Sequence, residues 1–384
     1  LIPYDVWAEI DLNAISENIK ALKSLLSKST RLMAVVKADA YGHGAAEVAA
    51  RAMASGATAL GVARLGEAVA LRHAGINAPI LILGHTSSVS AAKLIAYDLT
   101  QTVHSYRTAA ELSAIAETLG KPLRIHVKID TGMGRLGILS DDRVIAPAGA
   151  CGFSCAADEV RAICNLTALV PEGICTHFAA ADAGDKTSAK EQFRIFTELL
   201  NRLAADGIRF PVRHAANTAA IIDMPETGLD LVRAGIGIYG HYPSEAVSRR
   251  VRLRPAMTVK SRIVHLKTVG PDFKVSYGGT ARTAAETTLA TVSVGYADGF
   301  SRLLSSTGRM TVAGREVPII GRVCMDQTVI DVGRADVAVG APVVIFGDPD
   351  EGAIPAEAVA KAMGTINYEV LTLVSGRVPR VYRR

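Results

Sequence analysis

A chain of 384 residues is too long for one ordinary domain of about 100–200 residues, and two domains are expected. Hydrophobic residues make up 49% and charged residues 21%, which excludes a disordered chain. The net charge of +5, 42 Lys and Arg against 37 Asp and Glu, comes from scattered residues rather than one stripe, so nucleic acid is not an expected partner.

Nor is a membrane. No run approaches the roughly 18 apolar residues of a spanning helix, and Leu1 to Asp5 lack the basic-then-apolar pattern of a signal peptide, so a cytoplasmic protein is expected. The opening on Leu1 rather than Met leaves a trimmed leader open.

In chain order, residues 1–12 hold an alternating run, Val6 to Leu12, that reads as a strand packing on the C-terminal domain. From residue 31 to about 240, short β-branched runs alternate with longer Ala/Leu-rich stretches of helical spacing. Strands are predicted at Leu32–Val36, Ala59–Val62, Ile80–Leu83, Thr100–His104, Arg124–Ile129, Gly173–His177, Val212–Ala215 and Leu231–Tyr239, with helices such as Ala45–Ala54, Thr108–Leu119 and Ser188–Leu203 between them. Eight strands in about 210 residues fit a closed, TIM-like (β/α) barrel better than an open sheet, and the α/β barrel is assigned to residues 13–245. Beyond it helices nearly vanish and alternating runs appear at Met257–Leu266, Thr288–Val294, Met310–Val312 and Val343–Phe346, so residues 246–384 form a mostly-β domain.

The five cysteines, Cys151, Cys155, Cys164, Cys175 and Cys324, are odd in number and irregularly spaced, which argues against a disulfide framework. Cys151 and Cys155 sit in a Gly/Ala/Pro-rich stretch without the other ligands zinc requires, and no metal is expected.

Chemistry concentrates at strand ends. Lys37, Arg135, His177, Asn217 and Arg233 fall at or just beyond the C-terminal ends of predicted strands, which in a barrel is the catalytic rim. In the run Ala34-Val35-Val36-Lys37-Ala38-Asp39-Ala40-Tyr41-Gly42-His43-Gly44, an apolar strand ends on a lysine. Partial desolvation there lowers an amine's pKa and makes it a usable nucleophile toward an aldehyde, although a single strand-end lysine is more often a structural or solvated one.

That run resembles the cofactor-lysine motif of the alanine racemases, fold type III enzymes that depend on pyridoxal 5'-phosphate (PLP). The resemblance continues through Val127-Lys128-Ile129-Asp130-Thr131-Gly132-Met133-Gly134-Arg135-Leu136-Gly137, Thr176-His177-Phe178-Ala179, His214-Ala215-Ala216-Asn217-Thr218 and Arg233-Ala234-Gly235-Ile236-Gly237-Ile238-Tyr239-Gly240. In the second domain it covers Val275 to Thr280, Gly295 to Phe300, Arg322-Val323-Cys324-Met325-Asp326-Gln327 and Ile366-Asn367-Tyr368-Glu369.

The resemblance implies interconversion of L- and D-alanine by two acid/base groups on opposite faces of the α-carbon, Lys37 and Tyr277. It implies that Lys37 carries PLP and serves the D-enantiomer, and that Tyr277 serves the L-enantiomer in the site of the other subunit of a homodimer. Arg233 resembles the arginine that donates to the cofactor's ring nitrogen and, keeping its own proton, leaves that nitrogen unprotonated. The phosphate is implied to meet Tyr41, Tyr368, Thr218, Gly235 and Ile236, with His177 against the ring and Asn217 and His214 around it. Arg135 and the Met325 backbone N–H are implied to hold the substrate carboxylate, with Lys128 bracing Arg135, Asp326 in a supporting place, and Tyr296 with Tyr368 narrowing the entrance. D-Alanine supply for peptidoglycan is the implied role.

Residues 141–158 depart from the charged helical stretch expected after the Arg-Leu-Gly motif, and Thr218 stands where a serine is common. A broad-specificity or serine-preferring racemase stays open, because pocket contacts discriminate by only about 1–3 kcal/mol per methylene. A PLP decarboxylase of the same fold has no obvious use for the Tyr277 motif. A single-barrel PLP-binding homeostasis protein lacks the second domain.

Overall fold

The computed structural model describes residues 2–140 and 153–384. Eight parallel strands form the barrel: β2 (Arg31–Val35), β3 (Ala59–Val62), β4 (Ile80–Ile82), β5 (Thr100–Val103), β6 (Leu123–Asp130), β7 (Leu169–Cys175), β8 (Val212–His214) and β9 (Leu231–Ala234). They pair in the order β9-β2-β3-β4-β5-β6-β7-β8. The ring closes through Asp230 N to Arg213 O (3.1 Å) and Arg233 N to Ala216 O (3.0 Å).

Helices cover the outside because their apolar residues recur at helical spacing. In Thr187–Ala205 the buried residues are Ala189, Gln192, Phe196, Leu199 and Leu203, one stripe at steps of three and four. The helix Leu12–Lys23 starts where the Asp11 carboxylate accepts from Asn13 N (2.8 Å) and Ala14 N (3.0 Å), and it buries Leu12, Ile15, Ile19 and Leu22. Each fully buried Leu, Ile or Phe contributes about 1.5–3 kcal/mol.

Inside the barrel the pattern changes with height. Met33, Leu81, Val212 and Leu231 form a small apolar cluster of their own. Two residues further along β8 and β9, on the same face, come His214 and Arg233; the corresponding face of β6 carries His126 and Lys128. An apolar plug thus lies below a polar rim.

The second domain is mostly β. Its long strand β10 (Met257–Val269) pairs antiparallel with β1 (Val6–Asp11), with Ala8 opposite Val259, and further along with β11 (Thr287–Val292). The C-terminal strand Arg380–Arg383 lies parallel to β1 on its other side. Glu9, buried on β1, accepts from Trp7 Nε1 (3.0 Å) and Lys260 Nζ (3.0 Å) and pairs with Arg383, which fastens the three strands.

Three expectations need correction. The run Leu231–Tyr239 is not one strand: β9 stops at Ala234, Gly235 turns the chain, and Ile236–Tyr239 is a 3-10 turn. Strand β7 starts at Leu169 rather than Gly173, and its register shifts between Ile125 and His126, beside Pro171, which has no N–H for the ladder. Helices do not nearly vanish after residue 245: Ala356–Met363 and Asn367–Leu373 are helical, too short for their apolar spacing to stand out in the sequence. Of the segment 141–158, residues 141–152, with Cys151, lie outside the described residues; Ala156–Cys164 is a helix with Asp158 and Glu159 in its first turn. Cys155, Cys164, Cys175 and Cys324 are free thiols.

Candidate active site

Lys37 leaves the end of β2 into an unusual turn. Ala38, Asp39, Ala40 and Tyr41 all have left-handed backbone, with φ of 53°, 52°, 53° and 53°. For L-residues this costs about 1–2 kcal/mol each, so the surroundings must hold the turn in place. Glu67 does so from one side, accepting from Ala38 N (2.8 Å) while its other oxygen binds Ala63 N (2.7 Å) and Arg64 N (3.1 Å). Asp39 accepts from Ala45 N (2.7 Å), and Arg380 of the second domain donates to Gly42 O (2.9 Å).

The Lys37 amine lies below the usual lysine range, first because it is partly buried and then because Arg135 repels its charge, with Glu67 opposing. Lys128 is also lowered, by burial and by Arg233 and Arg135. Arg135 follows a tight loop set by Asp130, whose carboxylate accepts from the backbone N–H of Gly132, Met133, Gly134 and Arg135 at 2.9–3.1 Å. Burial pushes that carboxyl up, but the four donors hold it below its ordinary value.

Arg233 is 6% exposed and heavily bonded. Nη1 donates to His214 Nδ1 (2.7 Å), and Nη2 to Thr176 O (2.9 Å), Ala215 O (2.8 Å) and His177 Nδ1 (3.1 Å); none of these bonds uses Nε. Because a guanidinium only donates, His214 Nδ1 must accept, so the neutral ring carries its proton on Nε2 and gives it to His126 Nδ1 (2.9 Å). His126 Nε2 then faces Glu172 Oε2 at 3.9 Å. Burial, with Arg233 next, holds His214 and His177 well below the ordinary histidine value, so both are neutral near pH 7. By the same logic His177 carries its proton on Nε2.

Opposite this chain lies a cradle of small groups. Thr218 Oγ1 accepts from Gly235 N (3.0 Å), Asn217 caps the helix Thr218–Asp223 through Ala220 N (3.1 Å), and Ile236 is buried beside them. A Cβ built on Gly235 would stand 2.9 Å from the Tyr41 hydroxyl, so only glycine leaves that space open. Tyr41 stacks on Tyr239 (centroids 4.8 Å), whose hydroxyl donates to Val35 O (2.8 Å), and Tyr368 comes from the second domain to 6.0 Å from Tyr41. Two tyrosines, a threonine and a glycine beside Lys37, Lys128, Arg135 and Arg233 suit an anionic ligand with a phosphate at one end.

Tyr277, Tyr296, Met325 and Asp326 stand apart. Tyr277 is 70%, Met325 53% and Tyr296 43% exposed, and among the described residues no hydrogen bond, ion pair or ring contact joins Tyr277 to the barrel rim. They nevertheless share one rigid surface. Ser276, with φ 63°, donates to Arg322 O (2.6 Å); Tyr296 N donates to Cys324 O (3.0 Å) and Ala297 N to Met325 O (3.0 Å). A Cβ on Gly295 would lie 2.3 Å from Met325 O, so these two loops pack backbone to backbone. Asp326 accepts from Arg377 Nη2 (2.8 Å).

The profile of "Alanine racemase, N-terminal domain" matches residues 10–243, and that of "Alanine racemase, C-terminal domain" matches residues 256–382. The chain belongs to the alanine racemase family. An alanine racemase of Desulfosudis oleivorans is 52% identical over 99% of this chain and 97% of its own length. The solved alanine racemase of Clostridium difficile 630 superposes with a TM-score of 0.92 at 40% identity, covering 100% of this chain and 97% of that one. An alanine racemase from Bartonella henselae with covalently bound pyridoxal phosphate is 26% identical, with a TM-score of 0.85 over 99% of this chain and 100% of that one. As in these alanine racemases, the chain is built as a barrel with a separate mostly-β domain.

Glu67, His126, Glu172 and Tyr239 support the site without having been singled out from the sequence. Period-two alternation back from Lys128 points to His126 on the same face of β6. Glu67 has no local signal, since the strained turn that it holds lies 29 residues away.

Proposed function

We propose that this alanine racemase family member interconverts L- and D-alanine with PLP bound at the barrel rim, as a homodimer whose two sites each take Lys37 from one subunit and Tyr277 from the other. The observation that carries this reading is the split between a partly buried, cationic rim around an amine of lowered pKa and an exposed, rigid tyrosine surface on the second domain.

PLP, when bound, draws electrons from the substrate's α-carbon and acidifies its hydrogen. Lys37 attaches the cofactor; its amine, once freed, holds or returns a proton on one face, and its lowered pKa suits that exchange near neutral pH. The hydroxyl of Tyr277 of the partner subunit takes the other face. Arg233 offers Nε–H to the cofactor's ring nitrogen and stays charged, fixed by His214, His177 and two carbonyls. Tyr41, Tyr368, Thr218, Gly235 and Ile236 hold the phosphate, with His177 against the ring and Asn217 beside it. Arg135, braced by Lys128, and the Met325 N–H hold the substrate carboxylate, while Asp326 anchors the Met325 loop through Arg377. Tyr296 and Tyr368 narrow the entrance to small side chains, and the D-alanine formed would serve peptidoglycan.

The test is D-alanine formation from L-alanine by the PLP-loaded protein, with L-serine run in parallel. Alanine turnover well above serine turnover supports the reading, the reverse order moves it to a serine-preferring racemase, and no turnover of either sinks it.

A further inference from the structure

Between the barrel and the second domain lies a polar cluster with no part in the chemistry above, in which His241 and Asn367 are buried and the Glu357 carboxylate between them stays open to solvent on one side. His241, 3% exposed, follows the last barrel turn, and its Nδ1 is 2.7 Å from Glu357 Oε1 on the helix Ala356–Met363. The same oxygen accepts from Asn367 Nδ2 (3.0 Å), and Asn367 also donates to Tyr242 O (3.1 Å). Burial pushes the Glu357 carboxyl up, yet His241 and Asn367 hold it down at about 2, so it is ionised throughout the working pH range.

Asn367 is the first residue of the helix Asn367–Leu373, and the next residue is Tyr368, the one cradle residue that the second domain sends across. On the other side, His241 lies two residues beyond Tyr239, on which Tyr41 stacks. One carboxylate therefore ties the segment that carries Tyr368 to the one that carries Tyr239, on which the other cradle tyrosine, Tyr41, rests. A surface ion pair is worth little, but one carboxylate oxygen shared by two buried partners, His241 and Asn367, holds them in one geometry.

We propose that Glu357, through Asn367 and His241, is a positioning residue that sets Tyr368 against the cofactor phosphate, so that retention of PLP depends on it. This rests on the reading of Tyr368 as a phosphate contact. Tyr368 is carried by a seven-residue helix, and among the described residues the Asn367 side chain has, besides Glu357, one hydrogen-bond partner, Tyr242 O, so Glu357 fixes the direction of its amide.

The experiment strips PLP from the full-length protein and titrates it back, following cofactor absorption, for wild type, Glu357→Ala, Glu357→Gln, Tyr368→Phe and the double variant Glu357→Ala/Tyr368→Phe. Glu357→Ala is expected to raise the PLP Kd about tenfold, and Glu357→Gln, which keeps an oxygen able to accept from both partners, to restore most of it. In the Tyr368→Phe background the Glu357→Ala change should add less than about twofold, because the two act as one unit. A Kd unchanged in Glu357→Ala alongside a lowered Tm would reduce the cluster to a domain brace and overturn the proposal. A full tenfold loss persisting in the Tyr368→Phe background would overturn it too, by showing that Glu357 acts elsewhere. Should Tyr368→Phe alone leave the Kd untouched, the phosphate reading of Tyr368 itself fails, which the other variants do not imitate.

Discussion

The barrel rim and the exposed face of the second domain solve opposite problems. Around Arg233 the groups are committed: the buried guanidinium is bound by two histidines and by backbone carbonyls, and a left-handed turn is held by Glu67, Asp39 and Arg380. Around Tyr277 the backbone is as firmly set, by Ser276, Gly295 and Arg322, but the side chains of Tyr277, Tyr296 and Met325 face outward. The rim gathers four cations, Lys37, Lys128, Arg135 and Arg233, whereas the second-domain face offers an exposed tyrosine on a rigid turn. On the function proposed here, the difference teaches that a composite site can be preorganised in two separate halves, a cationic rim and a rigid outward-facing tyrosine surface, before they meet.

The largest test of that comparison removes one half at a time. Lys37→Ala and Tyr277→Phe should each lower the alanine turnover number, by about 10⁴-fold and about 10³-fold respectively. Neither alone shows whose tyrosine serves which lysine. Mixing the two inactive variants and letting subunits exchange should restore about a quarter of wild-type activity, because half of the dimers are hybrids and half of their sites are intact. No recovery on exchange would break the comparison by placing both groups in one chain.

A smaller effect separates cofactor from substrate binding. Gly235→Ala puts a methyl 2.9 Å from the Tyr41 hydroxyl and should weaken PLP binding about tenfold. Gly295→Ala, crowding Met325 O at 2.3 Å, should leave PLP affinity within about twofold and raise the KM for alanine instead. Titrations of cofactor and substrate on both variants check this, and equal effects on both constants would blur the two regions into one.

The smallest expected effect is on stability. In the barrel, burial holds His43 at about 3, and His126, His177 and His214 also lie below the unfolded value near 6.5. The unfolded chain then binds more protons, so this stability is whole above about pH 6.5 and is lost as the pH falls below it. In the second domain, burial pushes Glu9 up but Trp7, Lys260 and Arg383 hold it below its ordinary value. Its contribution is present above the unfolded carboxylate value of about 4.3 and fades only as pH falls through the lower folded one. Trp7 is the single tryptophan and sits on β1, so its fluorescence reports the second domain while far-ultraviolet dichroism reports chiefly the barrel helices. Lowering the pH from 7 should shift the thermal transition by dichroism before that by fluorescence; coincident shifts would show that the domains unfold as one.

Local patterns were readable from the sequence because they repeat at short range. The strand Ala59–Val62 and the helix Ala45–Ala54 have the predicted bounds, since β-branched runs and helical stripes report burial directly. The predicted strand Leu231–Tyr239 overruns because Ile236 and Ile238 continue the apolar alternation past Gly235, where the chain turns. The lysine at the strand end was legible only through the ordered motifs that follow it, since a strand-end lysine alone is more often solvated.

What the sequence by itself determined is therefore the succession of elements, the barrel with its mostly-β companion, and the chemical identities at the rim. Only the tertiary structure decided that Ala38 to Tyr41 wind left-handed, that Glu172, His126, His214 and Arg233 line up across four strands, and that Glu357 joins two distant segments. The physical reason is range: hydrophobic period is written in neighbours three or four residues apart, whereas strain and proton placement are fixed by partners 19 to 88 residues away, or further, whose meeting only the closed barrel and its docked second domain bring about.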